Sequence, residues 1–208
     1  MPRRRKRSPI PVTLTLPAEP PTQAEIDAIL MATDAIIGVA GRAGVVLILN
    51  GSKSKKALRN EWDKLPEYGV LAQLTAVKIG TLVDWCIHRR WLRIESTRDG
   101  IPLLFHTERG WERVKRLWVA RILDWFNEWQ MAGTSQNIWP RLENINQQIK
   151  YLLLEHLQER PQPAFAPILR AWFPHEVRKV RQAINHTLQT WGERPLPHPS
   201  QKQSTRKT

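Results

Sequence analysis

Two serines and three lysines occur together in residues 52–56, and this combination is suited to binding phosphate groups. The five residues are Ser52, Lys53, Ser54, Lys55 and Lys56. They follow Gly51 and precede a segment of helical composition, so the pattern places them at the start of a helix. Free backbone amides and the helix dipole favour anions there, serine hydroxyls donate hydrogen bonds, and ammonium groups add charge. The sequence therefore predicts phosphate contacts at this turn, with an ordinary solvated polar turn as the alternative.

The residue types that carry enzyme chemistry form no recognisable group. No Gly-Lys-Ser/Thr phosphate-binding loop occurs, so the sequence shows no P-loop motor. The six histidines have no metal-ligand spacing, and Cys86 falls within an apolar stripe. A single cysteine also excludes a disulfide framework and a multi-cysteine zinc site. We expect a protein that is not an enzyme, with no catalytic residue, no metal and no cofactor.

The net charge of +13 indicates a polyanionic partner, and nucleic acid fits this best. Nine of these net charges lie in residues 1–7 and 194–208, whereas residues 41–110 carry +5. Residues 1–21 and 193–208 are predicted to be disordered basic tails, because neither can bury enough apolar surface to become ordered. No apolar run approaches the roughly 18 residues of a membrane span, and the start lacks a signal-peptide core. We expect a cytoplasmic, nucleoid-associated protein.

Helical signals dominate the segment that must position the serine and lysine residues. Thr22 and Glu25 match a capping box, in which each side chain satisfies a free amide at the start of a helix. Thr75 can cap a later helix. The apolar face of that helix is formed by residues at helical spacing, namely Ile79, Leu82, Val83, Cys86 and Ile87.

The pattern changes from helical to strand periodicity near residue 92. Leu92 and Ile94 alternate with polar residues, and Asp99-Gly100 signals a tight turn before a second apolar run. Thr107 can cap the next helix. Helices followed by a hairpin and another helix predict a winged helix. The predicted fold class is therefore mainly α with a small β-hairpin wing, followed by a C-terminal helical region.

The second half of the chain is predicted to be entirely helical. One helical face carries a stripe that is more typical of a core than of base stacking, namely Trp111, Val114, Trp118, Ile122, Trp125 and Trp129. A near-heptad series follows, Ile138, Leu142, Ile145, Ile149, Leu152 and Leu157, and it allows a homodimer through this region. The predicted domains are a winged helix over residues 22–110 and a helical region over residues 111–192, between the two tails.

Several segments carry a family resemblance in order and spacing. Residues 47–56 pair an apolar helix with a Gly-Ser-x-x-x-basic turn, and residues 65–69 end in aromatic-Gly. Residues 83–92 form a helix before a wing, and residues 104–110 form a closing strand with a Thr-x-x-Gly turn. Together, residues 41–110 resemble the RQC domain, the winged helix of RecQ-family helicases. The sequence is most similar to the small stand-alone bacterial RQC-type DNA-binding proteins, which lack a helicase motor.

This resemblance implies that Ser52 and Lys56 contact the DNA backbone, while Asn50 stands where an arginine is common. The predicted wing tip, residues 96–102, has no aromatic side chain, which favours binding over strand separation. Lys78 and Thr81 lie on the helix that a generic helix-turn-helix inserts into the major groove. The complete set of candidate DNA contacts is Arg42, Ser52, Lys53, Ser54, Lys55, Lys56, Arg59, Lys78, Thr81, Arg93, Arg98 and Ile101.

The leading hypothesis is a motor-less DNA-binding protein that recognises the phosphate backbone and a DNA structure such as a duplex, a fork or a duplex end. One alternative is a sequence-specific transcriptional regulator. A second is an adaptor whose helical half docks a helicase or nuclease partner. A third is a winged helix that binds RNA.

Overall fold

The computed structural model describes residues 11–133 and 138–197, and these fall into two compact units, Met1–Leu117 and Trp118–Thr208. The helices are α1 (Gln23–Ala35), α2 (Arg42–Leu49), α3 (Lys55–Arg59), α4 (Ala76–His88), α5 (Glu108–Ala132), α6 (Trp139–Leu142), α7 (Gln147–Glu159), α8 (Ala166–Trp172) and α9 (Arg178–Thr190). Two antiparallel strands, β1 (Leu92–Ser96) and β2 (Pro102–His106), form the wing. The predicted mainly α fold with a hairpin wing is confirmed.

The first unit is built from the predicted local signals. The Thr22 hydroxyl accepts from the Glu25 amide while the Glu25 carboxylate accepts from the Thr22 amide, so the capping box begins α1. The Thr75 side chain accepts from the Lys78 amide at the start of α4. In the wing, Leu92 pairs with His106 and Ser96 with Pro102. The core of this unit consists of fully buried residues from α1, α2 and α4, among them Ile29, Leu30, Val45, Ile48, Leu49, Ile79, Leu82 and Val83.

The first compact unit and the first predicted domain end at different residues. The compact unit extends to Leu117 rather than to residue 110, because it includes the beginning of α5. Residues 11–21 of the predicted tail belong to the described part of the chain and have contacts within it. There the Thr15 amide donates to Asp84 Oδ2 at 2.9 Å, and Pro21 is buried. Residues 1–10 lie outside the described part of the chain.

Burial of His106 connects the wing to α1. His106 is 6% exposed, and its Nε2 lies 3.1 Å from the carbonyl oxygen of Leu30, so Nε2 donates this bond. Burial lowers the pKa of His106 below its ordinary value of 6.5. The Leu30 bond and Asp34 raise this pKa, while Arg93 lowers it further. The folded state therefore favours the neutral imidazole.

We expect His106 to make the fold less stable in mild acid. Its pKa is lower in the folded than in the unfolded state, so its contribution to stability is complete above pH 6.5 and is lost as pH falls toward the folded pKa. His106→Gln removes this titration. Urea unfolding at pH 7 and pH 5 should show a smaller loss of stability on acidification in the variant than in the unaltered protein. An equal loss in both proteins would contradict this expectation.

The second unit has an aromatic core that the sequence stripe identified only in part. Val114, at the start of α5 in the first unit, is fully buried, as are Ile122 and Phe126 farther along the helix, and Trp129 is 3% exposed. Trp111, Trp118 and Trp125 are only half-buried. The Phe126 ring lies 5.5 Å from the Phe165 ring and 6.4 Å from the Trp172 ring, centroid to centroid. Phe126, which the stripe omitted, is thus the centre of this core.

The predicted heptad series does not form one helix. Residues 143–146 separate α6 from α7, and the Asn146 side chain accepts from the Gln148 amide at the start of α7. Leu157 on α7 is fully buried within the unit, as are Ile184 and Leu188 on α9, the helix that packs against α7. These apolar residues are buried by contacts within the unit and are not exposed for contact with a second copy of the chain.

The end of the described chain also differs from the predicted tail. The Asn185 side chain donates to the Leu196 carbonyl oxygen at 2.9 Å and accepts from the Leu196 amide at 2.8 Å. Arg170 pairs with Glu193 at 2.7 Å. Residues 193–197 of the predicted tail therefore include contacts with the fold, and residues 198–208 lie outside the described part. No helix within residues 11–133 and 138–197 is long and apolar enough to cross a membrane.

Candidate nucleic-acid interface

The turn between α2 and α3 has a defined backbone geometry. Gly51 has φ +70° and donates to the Ile48 carbonyl oxygen, while the Ser52 amide donates to Leu47, which is the Schellman pattern of helix ends. A Cβ on Gly51 would lie 3.1 Å from the Gly69 Cα, because the two backbones pass closely. The Gly69 amide also donates to Ile48 at 2.8 Å. We call residues 52–56, which this turn presents, the serine–lysine turn.

The two serine hydroxyls of the serine–lysine turn order its backbone. The Ser54 amide donates to Ser52 Oγ, and the Ala57 amide donates to Ser54 Oγ, each at 3.3 Å. Each hydroxyl still has its hydrogen available to donate to another acceptor. The amides of Lys55 and Lys56, the first residues of α3, have no carbonyl partner within the helix. The turn therefore presents several donors to an anion.

The lysines of the turn supply charge rather than a strong helix dipole. Lys53, Lys55 and Lys56 are exposed, as is Arg59 one turn later. Lys56 Nζ lies 5.7 Å from the centroid of the buried Trp62 ring, which favours the ammonium group by a cation–π interaction. Because α3 contains only five residues, its dipole is small. The positive charges, rather than the helix dipole, thus dominate the electrostatics of this turn.

Two residues near the turn already have partners within the fold. Asn50 donates through its side-chain amide to the Leu74 carbonyl oxygen at 2.9 Å, which links the end of α2 to the segment before α4. Arg42 pairs with Asp84, and its Nη1 lies 2.6 Å from Oδ1. Asp84 is 2% exposed and also accepts from Thr15. Arg42, a candidate DNA contact, therefore neutralises a buried carboxylate on α4.

The wing approaches the serine–lysine turn across a cleft of about 480 Å³. Lys56 lines one side of this cleft, and Ile101, Pro102 and Leu104 line the wing side. Ile101 is 53% exposed. The structure thus brings a lysine of the turn and an apolar residue of the wing tip, residues 96–102, to the same opening.

The two wing arginines differ in their surroundings. Arg98 is exposed on the wing tip and has no ion pair with any residue in the described ranges. Arg93 pairs with Glu95 at 2.7 Å and donates to the His106 carbonyl oxygen at 2.9 Å. Its guanidinium also lies 5.8 Å from the Phe105 ring centroid. Of the two, Arg98 is the one whose charge is available to a ligand.

The exposed face of α4 is largely apolar. Val77 is 79% exposed, and together with Gly80 and residues of α2 such as Val46 it lines a second shallow cleft. Lys78 is exposed, but the Thr81 hydroxyl donates to the Lys78 carbonyl oxygen at 2.7 Å. The face therefore offers few of the polar side chains that read base edges in the major groove.

Three further arginines, which are not among the predicted DNA contacts, lie at the other end of α4. Arg89 and Arg90 are exposed after the last turn of α4, and Arg109 is exposed at the start of α5. Trp85 and Trp91 lie beside them. The sequence Arg-Arg-Trp was the available signal, but nothing in it indicated that Arg109 would join the group.

The comparison with known families agrees with this geometry. The family model of the RQC domain matches residues 23–117. The expected RQC winged helix is confirmed. The matched segment begins with α1 and ends at Leu117, the last residue of the first compact unit. No match was found among curated proteins or among solved structures.

The RQC match implies a DNA-binding winged helix over residues 23–117. This segment contains α1 to α4, the wing and the start of α5, including both the serine–lysine turn and the wing tip. Within the described residues, no group of three or more His, Cys, Asp or Glu side chains is placed to hold a metal ion.

Proposed function

We propose that this chain binds the phosphate backbone of DNA and recognises the structure of the DNA rather than its sequence. It does so through the serine–lysine turn and the wing tip of its RQC domain. The observation that carries the proposal is the shared cleft, which Lys56 and Ile101 both line together with residues 11–13. On the side of the turn, further hydrogen-bond donors are supplied by Ser52, Lys53, Ser54, Lys55 and Arg59. On the side of the wing, Arg98 supplies them. We propose that the chain acts without a motor of its own.

The apolar residue at the wing tip supports recognition of a duplex end. Lysine and serine donors hold a phosphate backbone in place but carry no sequence information. Ile101 is exposed where it can contact an apolar surface, and the last base pair of a duplex offers one. This arrangement favours duplex ends and forks over internal duplex.

Replacing Lys53, Lys55 and Lys56 with alanine should weaken duplex binding by about tenfold or more in moderate salt, because three phosphate contacts are lost. Each lost contact should reduce the slope of log affinity against log salt by about 0.9. Fluorescence anisotropy across a salt series measures both quantities. The matched control replaces exposed Arg160, Arg178 and Lys179 with alanine, which removes the same charge from the second unit. Unchanged binding in the lysine variant, or an equal loss in the control, would contradict the proposal.

A ligand panel separates this function from the alternatives. Duplex, forked DNA, single-stranded DNA and RNA are compared with the full chain, and preference for forks or duplex ends supports the proposal. A footprint on one sequence that is lost with Lys78→Ala or Thr81→Ala would instead support a transcriptional regulator. Absence of DNA binding at low salt, with a stable helicase or nuclease complex, would support an adaptor. Preference for RNA would overturn the DNA assignment.

The second unit is proposed to contribute packing and partner contacts rather than a dimer interface. Its aromatic core and the apolar faces of α7 and α9 are buried within the unit. Sedimentation of the full chain tests this, and we expect a monomer. A stable homodimer would contradict this expectation and support the dimer through the helical region that the sequence allowed.

A further inference from the structure

The turn that joins α4 to the wing has an unusual backbone conformation. Arg90 has φ +56°, and Glu61 is the only other non-glycine residue with positive φ among those described. Steric contact with Cβ disfavours this left-handed region for any residue except glycine. Non-glycine residues with this backbone conformation are concentrated at functional sites.

The start of α5 holds this turn in place from several directions. The Thr107 hydroxyl lies 2.6 Å from the Arg90 carbonyl oxygen and 3.2 Å from that of Trp91. Gly110 approaches so closely that a Cβ would lie 2.1 Å from the Trp91 carbonyl oxygen. The Trp91 amide donates to the Cys86 carbonyl oxygen at 2.9 Å. The turn therefore presents its side chains from a fixed backbone.

The side chains of this turn combine free positive charge with aromatic rings. The Arg109 guanidinium carbon lies 3.8 Å from the centroid of the Trp91 ring, and that of Arg89 lies 5.6 Å from the Trp85 ring. Arg109 also donates to the Arg89 carbonyl oxygen at 3.4 Å. Arg89, Arg90 and Arg109 are exposed, and none forms an ion pair with a carboxylate in the described residues. We call these five residues the arginine–tryptophan cluster.

We propose that the arginine–tryptophan cluster is a second DNA-binding site of the RQC domain and that it takes single-stranded DNA. The guanidinium groups pair with phosphates, and an unpaired base stacks on the guanidinium of Arg109 above Trp91. Stacking on aromatic and guanidinium planes requires bases whose faces are free, which a duplex does not provide. The proposal rests on the proposed function only in taking DNA as the ligand.

The cluster lies apart from the serine–lysine turn. Asn50 bonds to Leu74, which places that turn beside the first residues of α4, whereas the cluster lies at the last turn of α4 and just after it. A 13-residue helix is about 20 Å long. The two sites are therefore at opposite ends of α4, and a fork can offer duplex to one and a single strand to the other.

Arg90→Gly distinguishes a binding role from a structural one. Glycine adopts φ +56° without steric cost, so the melting temperature should stay the same or rise. If Arg90 contacts a phosphate, affinity for a thymidine homopolymer falls about threefold or more, and the salt slope falls by about 0.7. The affinity for a blunt duplex should change by no more than about twofold, because the lost phosphate contact is one that Arg90 makes with the single strand and not with the duplex. Arg109→Ala, which removes the stacking surface, should weaken homopolymer binding by about fivefold or more.

Glu61→Gly is the matched control, because it relieves the same backbone conformation at φ +57° without removing a positive charge. It should leave homopolymer binding intact. The proposal is overturned if Arg90→Gly binds the homopolymer like the unaltered chain, if it loses duplex binding equally, or if polyglutamate competes as well as the homopolymer. Failure of the proposed function is a separate result, namely unchanged duplex binding in the Lys53, Lys55 and Lys56 variant.

Discussion

Lys150→Met is expected to lower the free energy of unfolding of the second unit by about 3–5 kcal/mol, because it leaves a buried carboxylate without its cation. Lys150 Nζ lies 2.5 Å from Glu176 Oε1, and the two side chains are 5% and 3% exposed. Trp172 Nε1 donates to the same oxygen at 2.8 Å, which alone cannot balance the charge. Urea unfolding of the full chain, followed by circular dichroism, measures the loss.

The double variant Lys150→Met with Glu176→Gln is the control. The amide oxygen of glutamine keeps an acceptor for Trp172 Nε1 but has no charge, so most of the lost stability should return. A loss below about 1 kcal/mol in the single variant would mean that the carboxylate is neutralised by other means. A double variant as unstable as the single one would show that packing of the lysine chain, rather than charge, is responsible.

Gly41→Ala is expected to destabilise the first unit by about 1–3 kcal/mol and to weaken DNA binding, because the added methyl group overpacks the contact between Gly41 and the wing tip. Gly41 precedes α2, and a Cβ there would lie 2.3 Å from the Pro102 carbonyl oxygen. The φ of Gly41 is −101°, which any residue can adopt. Alanine is therefore disfavoured by steric contact and not by backbone conformation. The change must move β2, and Ile101 with it, relative to Lys56. Thermal unfolding and anisotropy with a duplex measure the two effects.

Gly80→Ala provides the comparison. Gly80 lies within α4, and a Cβ there meets no atom within 4 Å. Alanine should therefore stabilise the helix by about 0.5–1 kcal/mol through its lower conformational entropy in the unfolded chain. If both variants had the same stability, contact between Gly41 and Pro102 would not be what positions the wing.

Local patterns in the sequence predicted most of the first unit. The capping box at Thr22, the Thr75 cap and the apolar stripe of α4 each depend on residues within a few positions of one another. The hairpin likewise follows from alternation and from Asp99-Gly100. Such signals act over one or two turns of chain, so they can be recognised without knowledge of the remaining fold. The serine–lysine turn was identified by the same kind of signal.

The errors in the second unit have the opposite origin. The spacing of the tryptophans matched a helix, but whether a residue on that helix is buried depends on what packs against it. Phe126 is central because Phe165 and Trp172, far along the chain, meet it. The near-heptad series is interrupted because Asn146 caps a new helix, a local event that the apolar spacing concealed.

By itself, the sequence determined the class of fold and the RQC resemblance and predicted phosphate contacts at residues 52–56, because helix caps, apolar periodicity and clustered charge are local properties. Only the tertiary structure decided which charges are available to a ligand. Arg42 is paired with Asp84, 42 positions away, and Arg93 bonds across the hairpin, whereas Arg98 remains exposed. Arg109 joins Arg89 and Trp91 only because α5 folds back on the turn after α4. Long-range pairing of charges leaves no trace in local spacing, since the fold brings the partners together.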